Sequence, residues 1–110
     1  IAVASNKYQA ATEKLVAHYF PGIHFTAVFG QREGINVKPD PAVVFDILKL
    51  ANVQKEEVLY VGDSGVDMQT AANAGVTACG VTWGFRPRTE LEEFAPQYLT
   101  DTAEEIKQFL

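Results

Sequence analysis

Short continuous apolar runs alternate along this chain with stretches in which apolar residues return every third or fourth position. The first pattern predicts buried strands and the second amphipathic helices. Ile1 to Ala4 read as a strand, Ser5-Asn6 as N-cap residues, and Lys7 to Phe20 as a helix with Tyr8, Ala11, Leu15 and Tyr19 on its buried face. Pro21-Gly22 ends that helix. Phe25 to Phe29 form a second strand, followed by a polar loop from Gly30 to Gly34 and by Lys38-Pro39. Asp40 is placed to cap a second helix with Pro41 at its first position, and Val44, Ile47, Leu48 and Ala51 line its inner face. Val58 to Val61 make a third strand. A helix from about Asp67 to Ala74, closed by a left-handed Gly75, brings Ala71, Ala72 and Ala74 close to a sheet. Thr77 to Thr82 are a fourth strand, and Trp83 and Phe85 after it are expected to seal the sheet edge. Thr89 and Glu92 read as a capping box, Tyr98-Leu99 as a last short strand, and Ala103, Ile106 and Leu110 as one face of a final helix. This alternation of strand and helix predicts an α/β fold, a doubly wound parallel sheet of about five strands in one domain over residues 1–110.

Composition narrows the class. At 110 residues the chain can bury a real core but not a core plus a substantial second domain. A net charge of −5 disfavours general binding to nucleic acid or to anionic membranes, because either polyanion would be repelled by the average field. Cys79, the one cysteine, lies in an apolar run and reads as a buried reduced thiol. No signal peptide or membrane span is legible, so a cytoplasmic setting is the default expectation. The chain opens at Ile1 in what reads as mid-strand, so a fragment of a larger protein is expected.

In a parallel α/β sheet, ligands lie beyond the carboxyl ends of the strands. Three strand ends here carry chemically capable groups. Ser5-Asn6 after the first strand offers a hydroxyl at the mouth of a helix, which suits an anion such as a phosphate; alone, the pair reads more readily as a plain helix cap. Lys38 after the second supplies a compact positive charge, although a single loop lysine is ordinarily just solvated. Asp63 and Asp67 follow the third, and two like charges so close are most easily accommodated around a hard divalent cation such as Mg2+; the alternative is a turn and a helix cap. The ordered set points to phosphoryl chemistry. His18 and His24 have no partner that suggests catalysis, and Arg86 and Arg88 read as solvated charge rather than phosphate ligands.

Ser5-Asn6-Lys7, Lys38-Pro39 and Gly62-Asp63-Ser64-Gly65-Val66-Asp67 resemble the second, third and fourth motifs of the haloacid dehalogenase-like hydrolase superfamily. The likeness is closest to its phosphoglycolate phosphatase branch and continues through Gly80 to Arg86 to the last helix. The resemblance implies a Rossmann-like core and a Mg2+-dependent phosphatase acting on a small phosphorylated metabolite, 2-phosphoglycolate among the candidates, through an aspartyl phosphate. It gives Ser5 and the backbone near Asn6 the phosphoryl group, and gives Lys38 the charge on nucleophile and phosphoryl oxygens. Asp63 would ligate Mg2+, Asp67 would act on the metal through water or orient Lys38, and Ser64 would add a supporting hydrogen bond. The superfamily's first motif, Asp-x-Asp on a central strand, does not occur in these 110 residues, and the helical cap that usually follows it is missing. The chain alone is therefore expected to be inactive. Loss of the central strand would leave exposed sheet edges that favour a dimer or strand swap. The rival readings are a sugar-phosphate mutase or another phosphatase of the superfamily, and a non-catalytic α/β interaction module.

Overall fold

The computed structural model describes all 110 residues. They fall into two compact units, Ile1–Val53 and Gln54–Leu110. Both are built from parallel strands alternating with helices, the α/β class that the sequence pattern predicts.

In the first unit, β1 (Ala2–Tyr8) runs parallel to β2 (Ala27–Gln31). Ala2, Val3 and Ala4 face Ala27, Val28 and Phe29, and the register then slips before Tyr8 meets Gln31. Ser5-Asn6-Lys7 is thus an irregular stretch within an extended segment, not the start of a helix. Helix α1 (Gln9–Tyr19) begins two residues later than expected, with Tyr8 as an N-cap that makes no side-chain capping bond. The shift turns a different face inward. Tyr8, Leu15 and Tyr19 are 75%, 41% and 66% exposed, whereas Thr12 is buried and Gln9 and Val16 are half-buried. Gln9 is the reason: its Nε2 donates to the Val28 carbonyl at 2.8 Å and its Oε1 accepts from the Gly30 amide at 2.7 Å. The carboxamide stands in for a peptide group against β2 and fixes which side of α1 faces the sheet. The Thr12 hydroxyl turns back on the start of its own helix, donating to the Tyr8 carbonyl at 3.0 Å.

Helix α2 (Ala42–Ala51) buries Val43, Val44 and Leu48, with Ile47 and Ala51 half-buried beside them, so the predicted inner face is found. Asp40 Oδ1 accepts the Ala42 amide at 2.9 Å, but the N-cap is Pro41, one residue later than expected, and Pro41 makes no side-chain capping bond. Asn52 ends the helix in the left-handed conformation.

In the second unit a short 3-10 turn (Lys55–Glu57) leads into β3 (Leu59–Gly62), which pairs with β4 (Thr77–Val81), and β4 with β5 (Tyr98–Thr100). Helix α3 (Gly65–Ala74) connects the first two and packs on both. It closes at Gly75, whose φ of +74° is the left-handed C-cap anticipated from the sequence. Ala71 and Ala74 are fully buried, while Ala72 faces solvent. Met68, Cys79 and Leu91 complete the core with Thr70 and Thr100. Cys79 is a free buried thiol, pushed above its ordinary pKa by that burial.

The C-terminal part departs from expectation at three points. Helix α4 (Arg88–Glu93) has Pro87 as N-cap and no capping box, because Glu92 instead takes the Arg88 guanidinium at 2.8 Å. Helix α5 (Ala103–Ile106) gives way to a 3-10 turn, leaving Leu110 86% exposed while Phe109 stacks on Tyr98 with ring centroids 3.9 Å apart. Trp83 and Phe85 do not seal a sheet edge: Phe85 is fully exposed and Trp83 half so. No helix is long and apolar enough to cross a membrane.

Candidate active site

Each unit gathers part of the predicted set. In the first, the slip in β1 that makes Ser5-Asn6-Lys7 irregular frees their side chains for local bonds. Ser5 Oγ accepts the Lys7 amide at 3.1 Å. Asn6 reaches across 32 residues and brackets the backbone of Lys38, its Oδ1 accepting the Lys38 amide at 2.9 Å and its Nδ2 donating to the Lys38 carbonyl at 3.1 Å. The Lys38 ammonium donates to the Ala4 carbonyl at 3.1 Å, which directs the side chain back to the end of the paired part of β1. Ser5, Asn6 and Lys38 line one small recess together with Gln31 and Asn36. The second and third predicted motifs are therefore joined, although by Asn6 and not by a helix N-terminus at Ser5. Ser5 precedes α1 by too many residues to cap it.

In the second unit β3 ends at Gly62 and Ser64 caps α3, accepting the Asp67 amide at 3.3 Å. Asp67 is only 8% exposed and sits in the first turn of the helix. Its Oδ2 accepts the Asp63 amide at 3.2 Å and the Ser64 hydroxyl at 3.0 Å, and its Oδ1 accepts the Tyr60 hydroxyl at 3.0 Å. These donors, with the positive end of the α3 dipole, offset the buried charge that sequence reasoning had met with a cation between the two aspartates. Gly62 allows the close approach, since a Cβ there would fall on the Asp67 carboxylate. The Tyr60 hydroxyl is pushed well above its ordinary pKa, first by burial and then by the Asp67 charge, and so donates as a neutral group.

Asp63 is placed differently. It lies just beyond β3, half-buried, with Oδ2 accepting the Phe85 amide at 3.4 Å and Oδ1 taking no protein hydrogen bond. One carboxylate oxygen left without a protein partner fits a hard cation that binds through one or two carboxylates and keeps its waters. No group of three or more His, Cys, Asp or Glu side chains is gathered that would cage an ion outright.

The backbone of the loop after β4 touches Asp63. Arg88 is engaged by Glu92 at 2.8 Å and Asp101 at 2.9 Å, and Arg86 lies 3.9 Å from Glu90. Glu90 itself accepts the Gly65 amide at 2.8 Å and so secures the first turn of α3. Sequence reasoning missed Tyr60, Glu90 and Gly84. Of these only Gly84 carries a local signal, a glycine directly after an aromatic residue in a polar loop.

Comparison with known proteins shows the family of the chain. The sequence profile of the haloacid dehalogenase-like hydrolases matches residues 1–81. A phosphoglycolate phosphatase of Mesorhizobium japonicum is 34% identical over 96 residues, which make up 87% of this chain and 42% of that protein. Phosphoglycolate phosphatase 1 of Pseudomonas aeruginosa is 29% identical over 106 residues, 96% of this chain and 39% of its own length. The crystal structure of a candidate phosphoglycolate phosphatase from Lactobacillus delbrueckii subsp. bulgaricus superposes with a TM-score of 0.90 at 36% identity, covering 97% of this chain and 44% of that one. The chain thus spans less than half the length of these relatives. With the profile covering most of its length, the chain belongs to the haloacid dehalogenase-like hydrolases.

Proposed function

We propose that these 110 residues supply phosphate- and metal-handling groups of a Mg2+-dependent phosphomonoester hydrolase whose substrate is a small phosphorylated metabolite, with 2-phosphoglycolate the first candidate. The observation that carries this reading is the bracket of Asn6 around Lys38, which holds a hydroxyl and an ammonium at one recess in the first unit. A hydroxyl, backbone amides and a lysine are what a phosphoryl group asks for: donors that hold it and a point charge that offsets its own. The names of the relatives support phosphoglycolate as substrate class.

In this reading Ser5 and the amides around Asn6 hold the phosphoryl group and Lys38 offsets charge on its oxygens. Asp63 would hold Mg2+ through Oδ1, with Asp67 behind it, orienting the Asp63 backbone and acting on the ion through water. When bound, the ion would supply Lewis-acid charge neutralisation. The nucleophile that would form the aspartyl phosphate is not among these residues, which contain no Asp-x-Asp run. The chain alone is accordingly inactive.

Titration of the 15N-labelled chain with inorganic phosphate tests the reading. The amides of Ser5, Asn6, Lys7 and Lys38 should shift, and Lys38→Met should weaken the response by about tenfold, as expected for a lost charge-assisted bond. The same protein should show no Mg2+-dependent hydrolysis of p-nitrophenyl phosphate. Turnover by the chain alone would contradict its inactivity, and phosphate shifts that ignore Lys38→Met would contradict the phosphate site.

A further inference from the structure

The loop between β4 and α4 is tied down at both ends by one residue. Thr82 donates its hydroxyl to Asp101 Oδ1 at 2.7 Å, and Arg88 donates to the same oxygen at 2.9 Å. Between these anchors the backbone at Gly84 lies flat against the side chain of Asp63. A Cβ built at position 84 would overlap the Asp63 carboxylate, with Oδ2 the nearest atom. The next amide, that of Phe85, donates to Oδ2 at 3.4 Å. A bond of that length is weak alone, so the close packing of a glycine backbone on the carboxylate supplies most of the restraint. The ring of Phe85 is fully exposed, so it is not burial of the aromatic that holds the loop here. On its other side Asp63 is held through its own amide by Asp67.

We infer that Gly84 is a positioning residue: by letting the Gly84-Phe85 turn pack on Asp63 and engage Oδ2, it fixes the carboxylate so that Oδ1 is left for a divalent ion. The inference rests on the metal role proposed for Asp63. It adds that the rotamer of Asp63 is set from the loop after β4, and that a side chain at position 84 displaces either the carboxylate or the loop. Groups that orient a metal ligand from behind commonly change affinity by about 10–100-fold when removed.

Two measurements on the 110-residue chain test it. Mn2+ serves as the paramagnetic probe for the Mg2+ site, with binding followed by loss of the free-ion spin-resonance signal. Gly84→Ala should weaken Mn2+ binding at least about tenfold while far-UV circular dichroism stays native, and Trp83→Ala in the same loop should bind within about twofold of wild type. Wild-type affinity in a folded Gly84→Ala overturns the inference. The second measurement needs neither metal nor that variant: hydrogen exchange of the Phe85 amide should be slowed in the wild-type chain and faster in Asp63→Ala. Equal exchange in both proteins also overturns it. A wild-type chain that binds no Mn2+ defeats the metal role of Asp63, and with it the assignment of Oδ1, whereas the packing of the turn on Asp63 is still judged by the amide.

Discussion

Asp67 is a buried carboxylate with the Asp63 amide and the Ser64 and Tyr60 hydroxyls among its donors, and the Tyr60 hydroxyl is the one that a single substitution removes cleanly. Tyr60→Phe keeps the ring and deletes one bond to a charged acceptor, which should cost about 1.5–3 kcal/mol of stability near neutral pH. The pH dependence follows from the direction in which Tyr60 is shifted. Its pKa is higher in the folded chain than the ordinary value of about 10, so the folded state favours the protonated phenol. The stability that Tyr60 contributes is complete below about pH 10 and is lost as the pH climbs beyond it toward the folded pKa. Urea unfolding of both proteins should show a constant gap up to about pH 9 and a narrowing gap above pH 10, by up to about 1.4 kcal/mol per pH unit. A gap that widens with alkali would mean that the hydroxyl is not donating to a carboxylate.

At the scale of elements, Gln9 decides the seating of α1, and its contribution can be measured against the residues that periodicity favoured. Gln9→Ala leaves the Gly30 amide and the Val28 carbonyl without their side-chain partner, and should cost about 1–3 kcal/mol. Leu15→Ser, on the face that hydrophobic spacing marked as buried, should cost no more than about 0.5 kcal/mol because that face is exposed. Comparable urea midpoints for the two variants would reverse this assignment of the helix face. The contrast shows what was legible in the sequence. The alternation of strand and helix, the inner face of α2 and the Gly75 stop all rest on local patterns, and the structure contains each of them. The face of α1 was not legible, because a polar side chain acting as a backbone group leaves no trace in hydrophobic periodicity. For the same reason the strand end at Ser5-Asn6 read as a helix cap, since a register slip between strands is a property of the pairing and not of either segment. Of the candidate site, the residue types and their order were readable. Their supports were not, because Tyr60 and Gly84 act through close approach across more than one element.

For the whole molecule the feature with the largest consequence is the set of open strand edges. β1 pairs only with β2, and β3 only with β4, so each sheet ends in a strand whose outer backbone groups have no strand partner. Val61 on β3 is 44% exposed, and Ile1, Tyr8 and Tyr19 add further uncovered apolar surface. Edges of this kind drive pairing with another chain unless a charge or a covering element blocks them. The net charge of −5 opposes association only through long-range repulsion, which salt screens within about 8 Å at physiological ionic strength. The isolated chain should therefore self-associate in sedimentation velocity runs, increasingly with concentration, and more strongly when salt is raised. An interface held by surface ion pairs would show the opposite salt dependence. Val61→Lys places a charge on the β3 edge and should shift the population toward monomer with unchanged far-UV circular dichroism, whereas lysine at Glu56, outside any strand, should not. A wild-type chain that stays monomeric at every concentration and salt level would show that no strand edge is available for pairing.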